Sequence, residues 1–358
     1  MNIILGLDIG GANTKYVLLK HQEDVSELLV AESKYFPFWK KNNEYPQLLL
    51  NLKKELESLY GTISNVVCVT TAELADCFQT KKEGIEAICS YVTQVFSEQS
   101  PMIFDVRNRF ILCDEAGEHW LTVAASNWVA TAAFLGKKYP NALLVDIGST
   151  TTDLIPIFEG KVVAQGKNDL ERLISRELIY SGLLRTNVIA LTHEIKLNTK
   201  IIPLASELFA TTGDIYYLLG VIKEEEFSVE TADGKPVSKK NSLARISRII
   251  CSDLNQLSEQ DVLDIVKQIQ RKHLMQLSNA FNAVLNDYYN RFQLKPQIIL
   301  TGSGAIPIGI PLIRMNGFYE EILTNELLDE KTHNCFGVYA LIMLFAEDYL
   351  KDYQKEEE

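Results

Sequence analysis

Metal-binding and disulfide patterns are missing from this chain. Its cysteines (Cys68, Cys77, Cys89, Cys113, Cys251 and Cys335) form no Cys-x-x-Cys pair, and its five histidines form no His-x-x-x-His pair. In a chain of 358 residues that spacing supports neither a zinc site nor a disulfide framework, and a reducing compartment is expected. Positive charge is also short. Thirty-five Lys and Arg face 47 Asp and Glu, a formal net charge of −12. An average surface of that sign repels nucleic acid and anionic lipid, so neither is expected as a partner. Long apolar runs are absent too. Ile3 to Leu7 has no basic flank and is broken by Asp8 and two glycines, so it does not read as a signal peptide. Leu121 to Leu135 contains Ser126, Asn127 and Thr131 and is too short to span a bilayer. The expectation is a cytoplasmic protein. What remains is an ordinary globular balance, 47% apolar and 23% charged, with enough chain for two domains.

The opening ILGLDIGGANTKYVLLK reads as strand, Gly-rich turn and strand. Strand-like residues continue from Asp24 to Phe38, and helical spacing runs from Pro46 to Tyr60. Val66 to Val69 is a short buried strand, Lys82 to Phe96 a helix, 102–106 and 109–113 two short strands, and Ala124 to Leu135 a helix. Then the opening returns as LLVDIGSTTTDLIPIFEG. With Asp146 set under Asp8, Ile147 falls under Ile9, Gly148 under Gly10 and Thr152 under Thr14, an offset of 138 residues. The repeat predicts two similar domains whose turns face one cleft. Further on, the spacing predicts a helix from Asp169 to Ser181, an irregular stretch to Thr212 and a polar loop over Phe227 to Lys240. A helix begins with Ser258 and Asp261 as its start signal and runs to about Tyr289. A strand over Gln297 to Leu300, a helix from Phe336 to Tyr349 and a charged, frayed tail complete the chain.

Three segments carry the chemistry. In the first, Gly10 and Gly11 let the backbone turn its N–H groups toward an anion, Asn13, Thr14 and Lys15 add donors, and Asp8 is placed to hold a metal ion. It is neither a Walker A loop nor a dinucleotide fingerprint. The second offers Gly148 beside Ser149, Thr150, Thr151 and Thr152, with Asp146 and Asp153 at either end. The third, after the strand ending at Leu300, places Gly302 and Gly304 where a ligand can come close to the backbone.

In this order and spacing the three segments resemble the two phosphate motifs and the adenosine motif of the actin/sugar kinase/Hsp70 superfamily. DIGGANTK, TTAELADCFQTKKEGI, SNWVATA, DIGSTTTDLIPI, ASELFATTGDIYYLLG and ICSDL are similar to a narrower branch, related to the hydantoinase/oxoprolinase proteins and including methanofuran-pathway and tetrahydromethanopterin-linked one-carbon proteins. The resemblance covers about residues 3–345. It implies an α/β fold of two duplicated actin/hexokinase-like, ribonuclease H-like domains, with an interdomain cleft. The expected division is 1–135 with the C-terminal helix 336–358, and 136–335.

The activity it implies is a transfer that releases diphosphate. (5-(Aminomethyl)furan-3-yl)methyl diphosphate and the phenol of γ-glutamyltyramine, or a tyrosine-type acceptor, would form an aryl ether. Small-molecule diphosphate and phenolic amine substrates are therefore the expected partners, and a homo-oligomer is compatible with the composition. Mg²⁺ on Asp8 and Asp146 is the expected cofactor, with no ATP requirement. A phenol of ordinary pKa near 10 needs a proton acceptor. Asp153, Glu207 and Asp214 are the leading candidates, with Asp76 and Asp105 behind them. Arg245 and Arg248 share a helix face and read as a solvated surface more readily than as a phosphate site. An ATP-dependent small-molecule kinase and a nucleotide-binding regulator stay as rivals, separated from the transferase by whether ATP is turned over.

Overall fold

The computed structural model describes residues 2–22, 25–326 and 330–349. The charged tail at 351–358 lies outside them. Contacts divide the chain into two units: residues 1–142, 157–172 and 325–358, and residues 143–156 and 173–324.

In the first unit six strands form one sheet: β1 (Asn2–Ile9), β2 (Asn13–Gln22), β3 (Val25–Tyr35), β4 (Asn65–Thr70), β5 (Met102–Phe104) and β6 (Phe110–Leu112). Their order is β3-β2-β1-β4-β5-β6. β1 pairs antiparallel with β2 and parallel with β4. As a central strand with both faces covered, β1 is apolar nearly throughout, and Ile4, Leu5, Leu7 and Ile9 are fully buried. On one face the helices Tyr45–Tyr60 and Lys81–Phe96 bring Leu49, Leu52, Leu56, Ile85, Ile88 and Val92 into its core. On β1, a side chain at Gly6 would sit 2.9 Å from Val338 Cγ1, so the glycine lets the apolar helix Phe336–Leu344 approach the strand.

The chain continues through β7 (Ala142–Ile147), β8 (Thr152–Phe158), β9 (Lys161–Val162), β10 (Leu178–Ile179), β11 (Glu194–Leu197), β12 (Lys200–Pro203), β13 (Gln297–Thr301) and β14 (Ile322–Leu323). The second sheet has the order β10-β8-β7-β13-β14, with β9 beside β8. Leaving β9 and β6 aside, each sheet reads third, second, first, fourth, fifth. The two sheets thus have the duplicated α/β order that the resemblance implied. The 34-residue helix Glu259–Phe292 packs in the second unit and starts with a capping box, in which Ser258 and Asp261 satisfy each other's backbone N–H.

Three local expectations are corrected. The helix from Asp169 ends at Ser175, because Arg176 adopts a left-handed φ of 63° before β10. The irregular stretch holds the hairpin β11–β12. The segment around Thr211, expected as a loop, starts the helix Thr212–Leu218 with a second capping box, Thr211 and Asp214.

Candidate active site

The repeat seen in the sequence is a repeat of hydrogen bonds. Gly10 N–H donates to Asn13 O at 3.0 Å, and Gly148 N–H donates to Thr151 O at 2.9 Å. Each bond closes the four-residue turn between the first two strands of its sheet. The carbonyls of both turns are tied to their own unit. In the first, Gly11 O accepts from Phe38 N–H and Ala12 O from Phe36 N–H. In the second, Gly148 O accepts from Leu183 N–H, and Ser149 O from the N–H groups of Leu184 and Arg185. The N–H groups of Gly11 and Ala12, and of Ser149, Thr150 and Thr151, donate to nothing among the described residues. Anchored carbonyls with free amides make an anion-binding concavity. No Cβ at Gly11 would meet anything within 4 Å, so the first turn is open on that side.

The last strand-end glycines act within the protein. A Cβ at Gly302, whose φ is +84°, would fall 2.5 Å from Asp146 Oδ1, and one at Gly304 would collide with Ile147. What approaches these glycines is the end of β7, and Gly304 N–H bonds Ile147 O at 2.8 Å. The first unit repeats this brace, with Thr71 N–H and Thr70 Oγ1 both donating to Ile9 O.

Two expected phosphate ligands are corrected. Thr14 and Thr152 are buried, and their hydroxyls serve the fold. Thr14 Oγ1 bonds Tyr45 OH at 3.1 Å, and Thr152 Oγ1 donates to Ser181 O at 2.8 Å. Side chains alternate along a strand, so the inward threonine leaves its neighbour, Lys15 or Asp153, on the opposite face. Behind the second turn, Ser181 Oγ meets His273 Nε2 and Tyr216 OH meets His273 Nδ1. Burial lowers His273 to about 4, so this brace is uncharged. Asn13 is exposed at the first turn.

Asp8 ends β1, directly across from Lys15 in β2 and Val69 in β4. Its Oδ1 is shut off from solvent with no hydrogen-bond partner. Burial raises its pKa, and the charge of Lys15 offsets part of the rise. Asp146 is half-buried at the corresponding end of β7, and Asp153 is half-buried opposite Leu178 in the ladder to β10. Among the described residues no three His, Cys, Asp or Glu side chains gather around a metal position. That does not exclude Mg²⁺, which keeps several waters and takes one or two carboxylates along with substrate phosphates. The orphaned Oδ1 of Asp8 fits such a role.

Asp214 is committed elsewhere. It is fully buried, its Oδ1 accepts from Arg245 Nε and Ser242 Oγ, both at 2.8 Å, and its Oδ2 accepts from Thr211 N–H at 3.2 Å. A proton acceptor needs a free lone pair at the substrate, so Asp214 is not carried forward. Arg245 is buried in the same pair and Arg248 bonds Asp233, so neither is available as a phosphate ligand from a solvated face. Glu207 is exposed in the loop between β12 and the helix Thr212–Leu218. Asp105 accepts from the N–H groups of Arg107 and Arg109 and pairs with the Arg109 guanidinium.

Sequence reading missed Glu73, three residues past the end of β4. It is 2% exposed, and its Oε2 has no partner. Burial pushes its pKa up to about 7 against a hydrogen bond from its own backbone N–H and the charge of Lys81, whose ammonium is 2.8 Å from Asp169 Oδ2. The signal available was an acidic residue following a buried strand and two threonines, the place where the other sheet carries Thr301 and Gly302.

With this geometry in hand, the relatives can be placed. The hydantoinase/oxoprolinase family model matches residues 65–315. The chain belongs to the hydantoinase/oxoprolinase family. A family relative from Methanocaldococcus jannaschii, named (4-{4-[2-(gamma-L-glutamylamino)ethyl]phenoxymethyl}furan-2-yl)methanamine synthase, is 37% identical over 304 residues, 84% of this chain and 86% of that protein. A Methanococcus vannielii protein of the same name is 38% identical over 208 residues, 58% of this chain and 84% of its own. Among solved structures, a nucleotide-free acetone carboxylase covers 95% of this chain and 70% of its own at a TM-score of 0.56 and 11% identity, a likeness of fold. No helix among the described residues is long and apolar enough to cross a membrane.

Proposed function

We propose that this family member is a diphosphate-releasing transferase. It joins (5-(aminomethyl)furan-3-yl)methyl diphosphate to the phenol of γ-glutamyltyramine, or of a tyrosine-type acceptor, as an aryl ether. The observation that carries the reading is the pair of turns with anchored carbonyls and free amides. The synthase name of relatives at 37% and 38% identity supports the substrate class.

Charge grows on the diphosphate as its C–O bond to the furanylmethyl carbon breaks. Preoriented N–H donors hold that charge without reorganising, and each is worth about 3 kcal/mol in comparable sites, roughly a hundredfold in rate. Gly11, Ala12, Ser149, Thr150 and Thr151 supply such donors. Lys15, across from Asp8 in β2, adds a cation to the same unit. The furan ring spreads the positive charge left on the carbon, so the protein's main task is to bind the leaving group. Asp8 and Asp146 would hold Mg²⁺, which when bound supplies positive charge to the departing oxygens. No ATP is required.

The test is direct. Purified protein, the furanylmethyl diphosphate, a tyramine- or tyrosine-type phenol and Mg²⁺ are incubated with and without ATP, and ether and diphosphate are followed by mass spectrometry. The expected result is equal ether formation in both, and loss of most activity in the near-isosteric Asp8→Asn and Asp146→Asn variants. Ether only with ATP, or ADP formed in step with a phosphorylated acceptor, replaces the transferase with a kinase.

A further inference from the structure

We propose that Glu73 is the catalytic residue that takes the phenol's proton. This deepens the transferase reading and rests on it. The step balances. The phenol O–H bond breaks and its proton passes to Glu73 Oε2. The phenolate oxygen bonds to the furanylmethyl carbon, and the C–O bond to diphosphate breaks with its electron pair on diphosphate. Glu73 then returns the proton to solvent.

The geometry points to a carboxylate kept for a donor from outside the chain. A buried acceptor without a partner is costly, and it persists where something else supplies the hydrogen bond. Glu73 Oε2 is such an atom. Its backbone is pinned, because a side chain at Gly84 in the helix Lys81–Phe96 would collide with Glu73 O and lie 2.7 Å from its Cα. The neighbouring ammonium that would neutralise it, Lys81, is held by Asp169 at the start of the helix Asp169–Ser175. Two like charges also act on it, Asp169 and then Asp8 at the end of β1. Two of the sequence-derived candidates are removed by the structure: Asp214 is spent in its ion pair and Glu207 is exposed in a loop.

Basicity fits the task. A carboxylate raised from 4.5 to about 7 is roughly 300 times stronger as a base, since each pKa unit is a factor of ten. The transfer from a phenol of pKa near 10 is then uphill by about three powers of ten, within the range that general-base catalysis manages.

The experiment compares wild type, Glu73→Gln and Glu73→Asp as full-length proteins, with a series of ring-fluorinated phenols of falling pKa. Expected for Glu73→Gln is a fall in kcat of about 100-fold or more at neutral pH, with the affinity for Mg²⁺-diphosphate unchanged. The wild-type rate should rise with pH and level off near 7, whereas the Gln variant should keep rising toward the phenol's own pKa. Acidic phenols should rescue the Gln variant, because they ionise without a base. A merely structural role would cost every phenol equally, and that result overturns the proposal, as does a Gln variant with unchanged kcat. Should Glu73→Gln not fold, Glu73→Asp decides: a shifted alkaline limb with lowered kcat supports the base, and an unmoved limb at full rate removes it. A wild type that makes no ether with any phenol ends both readings. An active wild type with an indifferent Gln variant ends this one alone.

Discussion

Glu73 makes a prediction about stability that needs no substrate. An acid whose pKa is higher folded than unfolded binds more protons in the folded state, so stability falls as pH rises across the interval between the two values. For Glu73 the interval runs from about 4.5 unfolded to about 7 folded. Below it, both states carry the protonated acid and there is no penalty. Above it, both are ionised and the full penalty stands. The difference of about 2.5 units corresponds to about 3 kcal/mol, a large share of the 5–15 kcal/mol of a typical domain. The residue is almost wholly buried, so solvent screening removes little of this. Glu73→Gln keeps the shape and removes the titration. Urea unfolding of both proteins at pH 5 and pH 8 should therefore show wild type losing about 2.5 kcal/mol more than the variant on going to pH 8, since pH 5 already lies just inside the interval. Asp8, whose pKa is also raised by burial, adds a slope of the same sign to both proteins. Parallel pH dependences in the two proteins would refute the buried, unpartnered carboxylate, whatever its role in catalysis.

Asp214→Ala breaks a fully buried pair with Arg245 and removes a helix cap. It should cost about 3–5 kcal/mol, read by urea unfolding, and an Ala variant as stable as wild type would return Asp214 to the list of proton acceptors. Gly182→Ala places a Cβ 2.6 Å from Gly148 O and 2.8 Å from Thr150 N, pushing on the second turn. It should weaken Mg²⁺-diphosphate binding by at least about tenfold at a stability cost of about 1–3 kcal/mol, measured by calorimetry and unfolding. Thr14→Val loses one buried hydrogen bond to Tyr45 and should cost about 1 kcal/mol while diphosphate affinity holds; a large loss of affinity would mean that its hydroxyl does face the ligand.

The parts of this molecule that were legible in the sequence are those written in short-range chemistry. Apolar runs on either side of DIGG and DIGS mark strands joined by turns, and matching residues 138 apart predicted two similar turns, which the structure shows closed by the same Gly-to-carbonyl bond. Which side chain of a hydroxyl run points inward was not legible. Ser149 to Thr152 look alike in sequence, and only the strand register decides that Thr152 goes to the core. The cap at Thr211 and Asp214 carries the same pattern as the one at Ser258 and Asp261, but a seven-residue helix offers too few turns for its periodicity to appear. The hairpin β11–β12 turns on Asn198 and Thr199, both at positive φ. Asn-Thr is a weak version of the Asn-Gly signal such turns favour. Glu73 was hidden for a different reason. Its character depends on Lys81 being taken by Asp169, 88 residues away, and on a glycine in a neighbouring helix.

Under the proposed function, an acidic protein that takes diphosphate has to solve a problem of charge. A cluster of lysines would bind the anion but would repel itself in the empty site. Amides bring no net charge. Their dipoles are aligned in advance by the bonds that hold the carbonyls of Gly11, Ala12, Gly148 and Ser149 to their own units, so each empty turn carries little repulsion. Hydrogen bonds from neutral donors to charged oxygens are roughly twice as strong as neutral ones, which favours the form with most charge, the leaving diphosphate. The charge left uncompensated is met by a cation that arrives with the substrate. On this reading a gathered set of carboxylates is unnecessary, and one carboxylate oxygen at the end of β1, without a partner in the chain, is what Mg²⁺-diphosphate requires. The proposed role of Glu73 extends the same economy: burial first, with the like charges of Asp169 and Asp8 adding to it, raises the carboxyl toward neutrality without adding another cation.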